Sequence, residues 1–526
     1  MNAVSPSLER RAAVLGTANA VDYALQFLLP IVFTRTLDPH SFGEYRLLWL
    51  AVNALMLIMP MCMAQSLYYF LPRSAPSQQR LYINQAILFL AGVGVVSAWA
   101  LSAWNPLLPG KLAGIAEGHG AIVPAFALLW LVASALDVLP TADERVGWQA
   151  KAIVALSAVR TLALGTAAIV TRDLGPVLWV LLAFTGFKVA LLFAYVARYH
   201  GLRGPLAHPE SFAVQVKQAA PFALSSALHG VRNQGDQWIA AAFFSVAMFA
   251  SFSIATVLAP LVQLFRQSVN NVFLPSMSRL ESAGEVGAML RLNNRANILV
   301  ALLVYPILAF MFVFAEQVIE LVYTTAYLDA VPVLRLYAVG LLASVVELVS
   351  VLFVLRQGGF AVRVNAIVLC IALPLSWFGA TRWGLIGAAI GSVTALYAER
   401  ILSLHRIARL TQIPVTRLQD WGALLGILAA AAFSAAVAGA ALRGSDWLPL
   451  AELAVGGLVF AAVYPAALFV TGQARQVADV YASLRAARAW CPVPALQPAY
   501  GARAGATWHG STIRPSPTNP HRSDSP

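Results

Sequence analysis

Four cations and three carboxylates stand where charge is expensive. Arg160, Lys188, Arg232 and Arg266, with Asp22, Asp236, Glu347 and a titratable His229, fall deep inside long apolar runs of the sequence. A charge at the centre of a membrane helix costs about 2.5 to 3.5 kcal/mol on insertion scales, so such residues normally face protein or water and mark a site. In a water-filled cavity, guanidinium forks would match phosphate oxygens in pairs and the lysine ammonium would add a point charge. That chemistry holds a diphosphate or an acidic sugar. Arg160 is the sharpest case, because neither its own run nor the adjacent one carrying Lys188 has a carboxylate at mid-depth.

Each of these residues also has a plain structural reading. Arg232 and Asp236 stand four apart on one helix and could neutralise each other. His229, three residues before Arg232, shares that face either as a hydrogen-bonded packing residue or as a proton switch. Lys188 and Arg266 lie beyond mid-run toward the cytoplasm and could snorkel to headgroups instead of lining a cavity. Arg46, at the outer start of the second run, is either an anchor or part of a cavity mouth, and Arg335 reads as an interfacial anchor. Asp22 has no cation on its own run. It is either an ion-coupling residue or the partner of an arginine on another helix.

The elements that must hold these groups are fourteen apolar runs of roughly 18 to 25 residues, each long enough to cross a bilayer as a helix. They cover 11–34, 46–71, 82–104, 120–139, 149–171 and 174–197, then 221–243, 249–273, 296–318, 331–355, 361–381, 384–404, 421–442 and 448–470. Hydrophobic residues make up 60% of the chain and charged ones 11%, against roughly 45–50% and 25% in soluble domains. The expected fold is an all-α polytopic membrane protein of about 14 transmembrane helices. Lys and Arg crowd into the N-terminus and the even-numbered loops, eighteen against six in and beside the odd-numbered ones, which predicts both termini in the cytoplasm. The net charge of +12 is this orientation signal and gives no reason to invoke nucleic acid.

The first run, with Asn19 and Asp22 and no small-residue cleavage site, reads as a retained helix rather than a signal peptide. Cys62 and Cys370 lie within runs and Cys491 in the tail, so no disulfide framework is implied. The expected organisation is a six-helix bundle over 1–197, a basic cytoplasmic linker over 198–220 and a second six-helix bundle over 221–410. Two added helices follow over 411–470, then a tail over 471–526 that starts as an interfacial helix and is expected to be disordered after Cys491. The halves echo each other. Phe70, Leu71, Pro72 ends the second run as Phe273, Leu274, Pro275 ends the eighth, and the turns before them read Phe42, Gly43, Glu44, Tyr45 and Phe249, Ala250, Ser251, Phe252. Pro30, Pro60, Pro306 and Pro374 offer bends within the runs.

Enzyme signatures do not occur. There is no glycine-rich nucleotide loop followed by Lys and Ser or Thr, no histidine pair at metal spacing and no nucleophile elbow, so no cofactor or metal is expected. Asp38 and Glu44 in the first outward loop could serve a membrane glycosyltransferase as metal ligands or base, but Pro39 and Gly43 make the segment read as a turn. The outward loops are too short for a soluble catalytic domain, and with no ATP-binding element the energy must come from a gradient or from the substrate pathway.

The stretch Phe33 to Tyr45 (FTRTLDPHSFGEY) resembles the loop after the first helix of the polysaccharide transporters. These are the O-antigen and exopolysaccharide flippases of the multidrug/oligosaccharidyl-lipid/polysaccharide superfamily. Leu321 to Tyr337 (LVYTTAYLDAVPVLRLY), Gly384 to Ala389 (GLIGAA) and the seventh run with Asp236 are similar to that family in the same order, while Ala250 departs from the glycine it favours. The resemblance implies two six-helix bundles around a central cavity plus two C-terminal helices. It also implies alternating-access translocation of an undecaprenyl-diphosphate-linked oligosaccharide across the bacterial inner membrane, for surface polysaccharide biosynthesis. Membrane lipids and a polysaccharide polymerase or export machinery would be its partners. Two other classes stay open: a cation-coupled drug antiporter of the same superfamily, which would favour an anionic cavity, and a membrane polymerase or ligase, which would need a large outward loop.

Overall fold

The computed structural model describes residues 8–201, 204–445 and 447–473. The tail beyond, with Cys491, lies outside the described residues, which form helices and no strand. Among the described residues, eleven helical stretches are long and apolar enough to cross a membrane. One of them, Gly358–Thr411, is two helices run together, because Trp383 and Gly384 leave helical geometry, Gly384 at φ 62°, where the sequence separates the eleventh and twelfth runs. Two further expected spans do not meet that measure of length and apolarity. The second is interrupted after Ile58, and the seventh carries Arg232, Asn233, Gln234 and Asp236.

The first half consists of α1 (Leu8–Thr36), α2 (Pro39–Ile58), α3 (Leu67–Phe70), α4 (Pro76–Ala100), α5 (Gly110–His119), α6 (Ile122–Ala133), α7 (Ala135–Ala142), α8 (Val146–Thr171) and α9 (Leu174–His200). The second repeats that order: α10 (Pro209–Phe243), α11 (Val246–Ala255), α12 (Leu258–Ser282), α13 (Val286–Val313), α14 (Ala315–Tyr323), α15 (Ala330–Leu342), α16 (Val349–Val354) and the two arms of α17 (Gly358–Thr411). In both halves the second and fourth spans are broken, and a short helix precedes the fourth. Packing repeats too: α1 lies on α8 as α10 lies on α17, and α6 sits between α4 and α9 as α15 sits between α13 and α17. The same order and packing thus recur in the two halves, as in parallel repeats. After α18 (Val415–Leu418), the added helices α19 (Trp421–Ala441) and α20 (Pro449–Val470) pack on each other and against α13 and α14.

Helix starts follow local chemistry. Proline occupies the first turn of α2, α4, α10 and α20, where a missing N–H costs nothing. At α10 this moves a boundary. The helix begins at Pro209, so the second part of the expected 198–220 linker forms the first turns of α10, and the connection shortens to the residues just after α9. That connection is tied to the first half, Asn84 donating to Pro205 O at 2.9 Å and Gln85 to His208 O at 2.9 Å.

The breaks do not follow the prolines. Pro30, Pro306 and Pro374 lie inside continuous helix, and of the four expected bends only Pro60 sits at an interruption. There Met61 and Cys62 adopt φ 46° and 53°, left-handed values rare outside glycine. The other breaks are held by short polar side chains that satisfy freed backbone groups. Ser134 Oγ donates to Leu131 O at 2.6 Å between α6 and α7, and Thr256 Oγ1 to Ser253 O at 2.8 Å between α11 and α12. Between α15 and α16, Asn293 Nδ2 donates to Glu347 O at 3.1 Å, while Glu347 N donates to Asn297 Oδ1 at 3.0 Å.

Candidate functional site

The deep charges fall into one group per half. In the first, α1 carries Asp22 against α8, where Arg160 Nη2 lies 3.5 Å from Asp22 Oδ1. Ser157 Oγ donates to the same carboxylate, and so does Gln26 Nε2, at 2.7 Å. Arg160 therefore does have a carboxylate, supplied by α1 rather than by its own or the next span, and the lone Asp22 is held by that arginine. On α9, Lys188 is buried and donates to Asp137 Oδ2 of α7 at 2.9 Å, its ammonium 5.0 Å from the centre of the Trp130 ring. It does not snorkel. These residues enclose a cavity of 210 Å³.

In the second half the expected Arg232–Asp236 pair is not formed. Arg232 donates to Glu399 and to Asn365, both on α17, and Glu399 also lies 3.5 Å from Arg400. Asp236 turns the other way, accepting from Tyr337 of α15, from Ser392, and from Gln237 N at 2.7 Å, and among the described residues it has no ion-pair partner. α10 packs against α17, which brings Glu399 and Asn365 to the arginine. Arg266 reaches from α12 to Glu347 at the α15–α16 break, 2.5 Å away, and so is held rather than snorkelling. It lies within electrostatic reach of Glu399, Arg232 and Arg400. Three guanidiniums thus face two carboxylates, an excess of one positive charge. The His229 side chain lies outside the described residues.

Asp137, Glu399, Arg400 and Tyr337 were not singled out from the sequence. The first three stand near span ends, where charge is normally interfacial, and Tyr337 carries no signal of its own. One would have had to ask which carboxylates could neutralise the deep arginines across helices.

Polar stripes run along α1 and α12. Asn19, Asp22, Tyr23 and Gln26, and Gln263, Arg266, Gln267 and Asn270, each recur at i, i+3, i+4 and i+7 and are partly or fully exposed. Such stripes in the middle of a span belong to a water-filled cleft, not to hydrocarbon. At the end of the bundle away from residue 8, the halves are bolted together. A Cβ on Gly43 would collide with Val246 O, so α2 and α11 meet backbone to backbone there. Arg46 donates to Ser253 Oγ at 3.0 Å across the same contact, which makes it a bridge between halves rather than a lipid anchor. Three more cations of this end cap helix C-termini, a favourable placement for positive charge. Arg35 donates to Leu321 O, Lys111 to Ala241 O at 2.6 Å, and Arg335 to Phe312 O at 3.0 Å.

Asp38 and Glu44 lie at this end too. Asp38 is the N-cap of α2, accepting from His40 N at 2.9 Å and Ser41 N at 3.1 Å. Burial pushes its carboxyl up, the Ser41 and His40 hydrogen bonds pull it further down, and it ends below its ordinary value, which suits a fixed cap and not a catalytic base. Glu44 faces His40 and His119 at 3.8 and 3.7 Å. No group of residues able to hold a metal occurs among the described residues.

Repeated halves, discontinuous helices and the polar stripes of α1 and α12 are the architecture of a transporter. The solved structures it is similar to include a lipid flippase and multidrug transporters. Lipid II flippase MurJ in an inward closed conformation matches with TM-score 0.66 and 13% identity, over 87% of this chain and 99% of that one. An inward-facing multidrug resistance MATE family transporter of the MOP superfamily matches with TM-score 0.55 and 14% identity, over 74% and 96%. A mutant of the Vibrio cholerae MATE transporter VcmN matches with TM-score 0.51 and 13% identity, over 77% and 96%. At these identities the likeness is one of fold. No curated protein matches in sequence. A sequence profile does, over residues 32–332, and by it the chain belongs to the polysaccharide biosynthesis protein family.

Proposed function

We propose that the protein is a flippase carrying an undecaprenyl-diphosphate-linked oligosaccharide across the bacterial inner membrane by alternating access. The observation that carries this reading is the second-half cluster. Arg266 stands on the polar face of α12, beside a helix break, in a group with one surplus positive charge. A diphosphate can displace the Glu347 carboxylate from Arg266 and take its place on the guanidinium fork. A cationic drug would meet repulsion there, which disfavours the antiporter reading. Asp236, buried without a counter-ion among the described residues, is our choice for the group that exchanges a proton or cation during the cycle. The polyprenyl tail stays in lipid, and the two polar stripes face the headgroup.

Orientation rests on two asymmetries. Cations crowd the end that carries residue 8, and all six tryptophans more than half exposed among the described residues (Trp99, Trp104, Trp179, Trp377, Trp383 and Trp447) lie at the other. We assign the first end to the cytoplasm and the second to the outer interface. The structure bolted at Gly43 and Arg46 is then closed outward. Reporter fusions at Pro209 and after Gly472 should read as cytoplasmic and those at Gly118 and Gly444 as periplasmic; a periplasmic signal at Pro209 rejects this topology.

Binding separates the flippase from the antiporter. The purified protein should be stabilised against heat by farnesyl diphosphate and not by ethidium. Stabilisation by ethidium alone would favour the drug antiporter.

A further inference from the structure

The first-half cavity differs in kind from the Arg266 cluster. Its charges cancel, Arg160 and Lys188 against Asp22 and Asp137. Its hydrogen bonding does not. Gln149 is 3% exposed, yet its Oε1 has no hydrogen-bond partner, and the Nε and Nη2 of Arg160 are likewise buried without one, since the 3.5 Å approach to Asp22 is off hydrogen-bond geometry. Orphaned buried donors and acceptors cost free energy unless something fills them. Gln149 and Arg160 both line one space of 210 Å³, with Trp130 and Phe184 supplying apolar wall. Gln26, on the exposed polar stripe of α1, is part of its wall, so the chamber lies beside that stripe.

A pyranose ring has the matching chemistry: hydroxyls that both donate and accept, a C–H face for an aromatic wall, and no charge. We propose that this chamber is a subsite for one neutral sugar residue of the carried glycan, so that the first half reads sugar while the second holds the diphosphate. The inference rests on the flippase reading and adds to it a selectivity. A uronic acid would have to compete with Asp22 and Asp137 for Arg160 and Lys188, whereas a neutral residue leaves both ion pairs in place. The carried glycan should therefore present a neutral residue at this point.

Saturation-transfer NMR on the purified full-length protein tests the subsite, with methyl glycosides of glucose, galactose, N-acetylglucosamine and glucuronic acid as probes. At least one neutral glycoside should show transfer, and the glucuronide should not compete with it. Gln149→Leu should weaken the response about fivefold, the effect expected for one lost hydrogen bond. Gln26→Leu, at an exposed position of α1, should weaken it without disturbing packed interior. Farnesyl diphosphate binding by the same samples reports separately on the flippase reading and shows that each variant is folded. Diphosphate binding without any neutral-glycoside response, or with a response unchanged in both variants, overturns the subsite alone. A glucuronide that binds better than every neutral glycoside overturns its selectivity. Loss of diphosphate binding in the wild type overturns the flippase reading instead.

Discussion

Replacing Glu399 by leucine should destabilise the folded protein by about 3 to 5 kcal/mol, the cost of leaving buried charge uncompensated. The carboxylate sits between Arg232 and Arg400, and all three side chains are nearly buried. Without it two guanidiniums face each other, with Arg266 nearby. Exchanging Arg232 and Glu399 together should recover most of the loss. Exchanging Arg232 with Asp236 should recover none, because Asp236 faces Tyr337 and Ser392. Thermal unfolding followed by size-exclusion chromatography in detergent distinguishes these results. A Glu399→Leu variant as stable as the wild type would mean that the arginines are solvated by the cleft and need no partner.

The second large effect concerns transport. Arg266→Gln should cut glycan export at least about tenfold at normal protein levels, since truncating one partner of a desolvated, hydrogen-bonded charge pair commonly costs more than a decade in affinity. Arg266→Lys should retain part of the activity, because an ammonium keeps the charge and loses the fork. Glu347→Gln should act in the opposite sense on binding. With the competing carboxylate gone, farnesyl diphosphate should bind more tightly while export slows through hindered release. Equal export by wild type and Arg266→Gln would remove Arg266 from the substrate path.

How much of this was legible in the sequence depends on the range of the interaction concerned. Apolar run length marks the spans, and the prolines at 39, 76, 209 and 449 mark helix starts, because both signals are local. The order of elements in the two halves is foreshadowed only by the short echo around Phe70 and Phe273. Charge partners are another matter. Arg160 and Asp22 are on α8 and α1, Arg232 and Glu399 on α10 and α17, and a rule of four-residue spacing picks Asp236 for Arg232 because it sees one helix at a time. Prolines locate only one of the helix breaks, at Pro60. Three of the four breaks instead use Ser, Thr and Asn, whose hydrogen bonds to freed backbone groups depend on neighbours that only the fold brings near. Each of the four deep cations has a carboxylate from another helix, and the surplus positive charge is confined to one cluster.

The central claim is that the protein moves a diphosphate-linked glycan from the cytoplasmic to the periplasmic leaflet. The most direct measurement follows where that lipid lies when the protein is depleted from its own cells, using a periplasmic enzyme or lectin that cannot cross the inner membrane. The account predicts that the lipid-linked oligosaccharide accumulates and is protected in intact spheroplasts, becomes accessible once they are opened, and is exposed again when wild-type protein is restored but not when Arg266→Gln is. Lipid-linked oligosaccharide fully accessible from outside in depleted cells would contradict it.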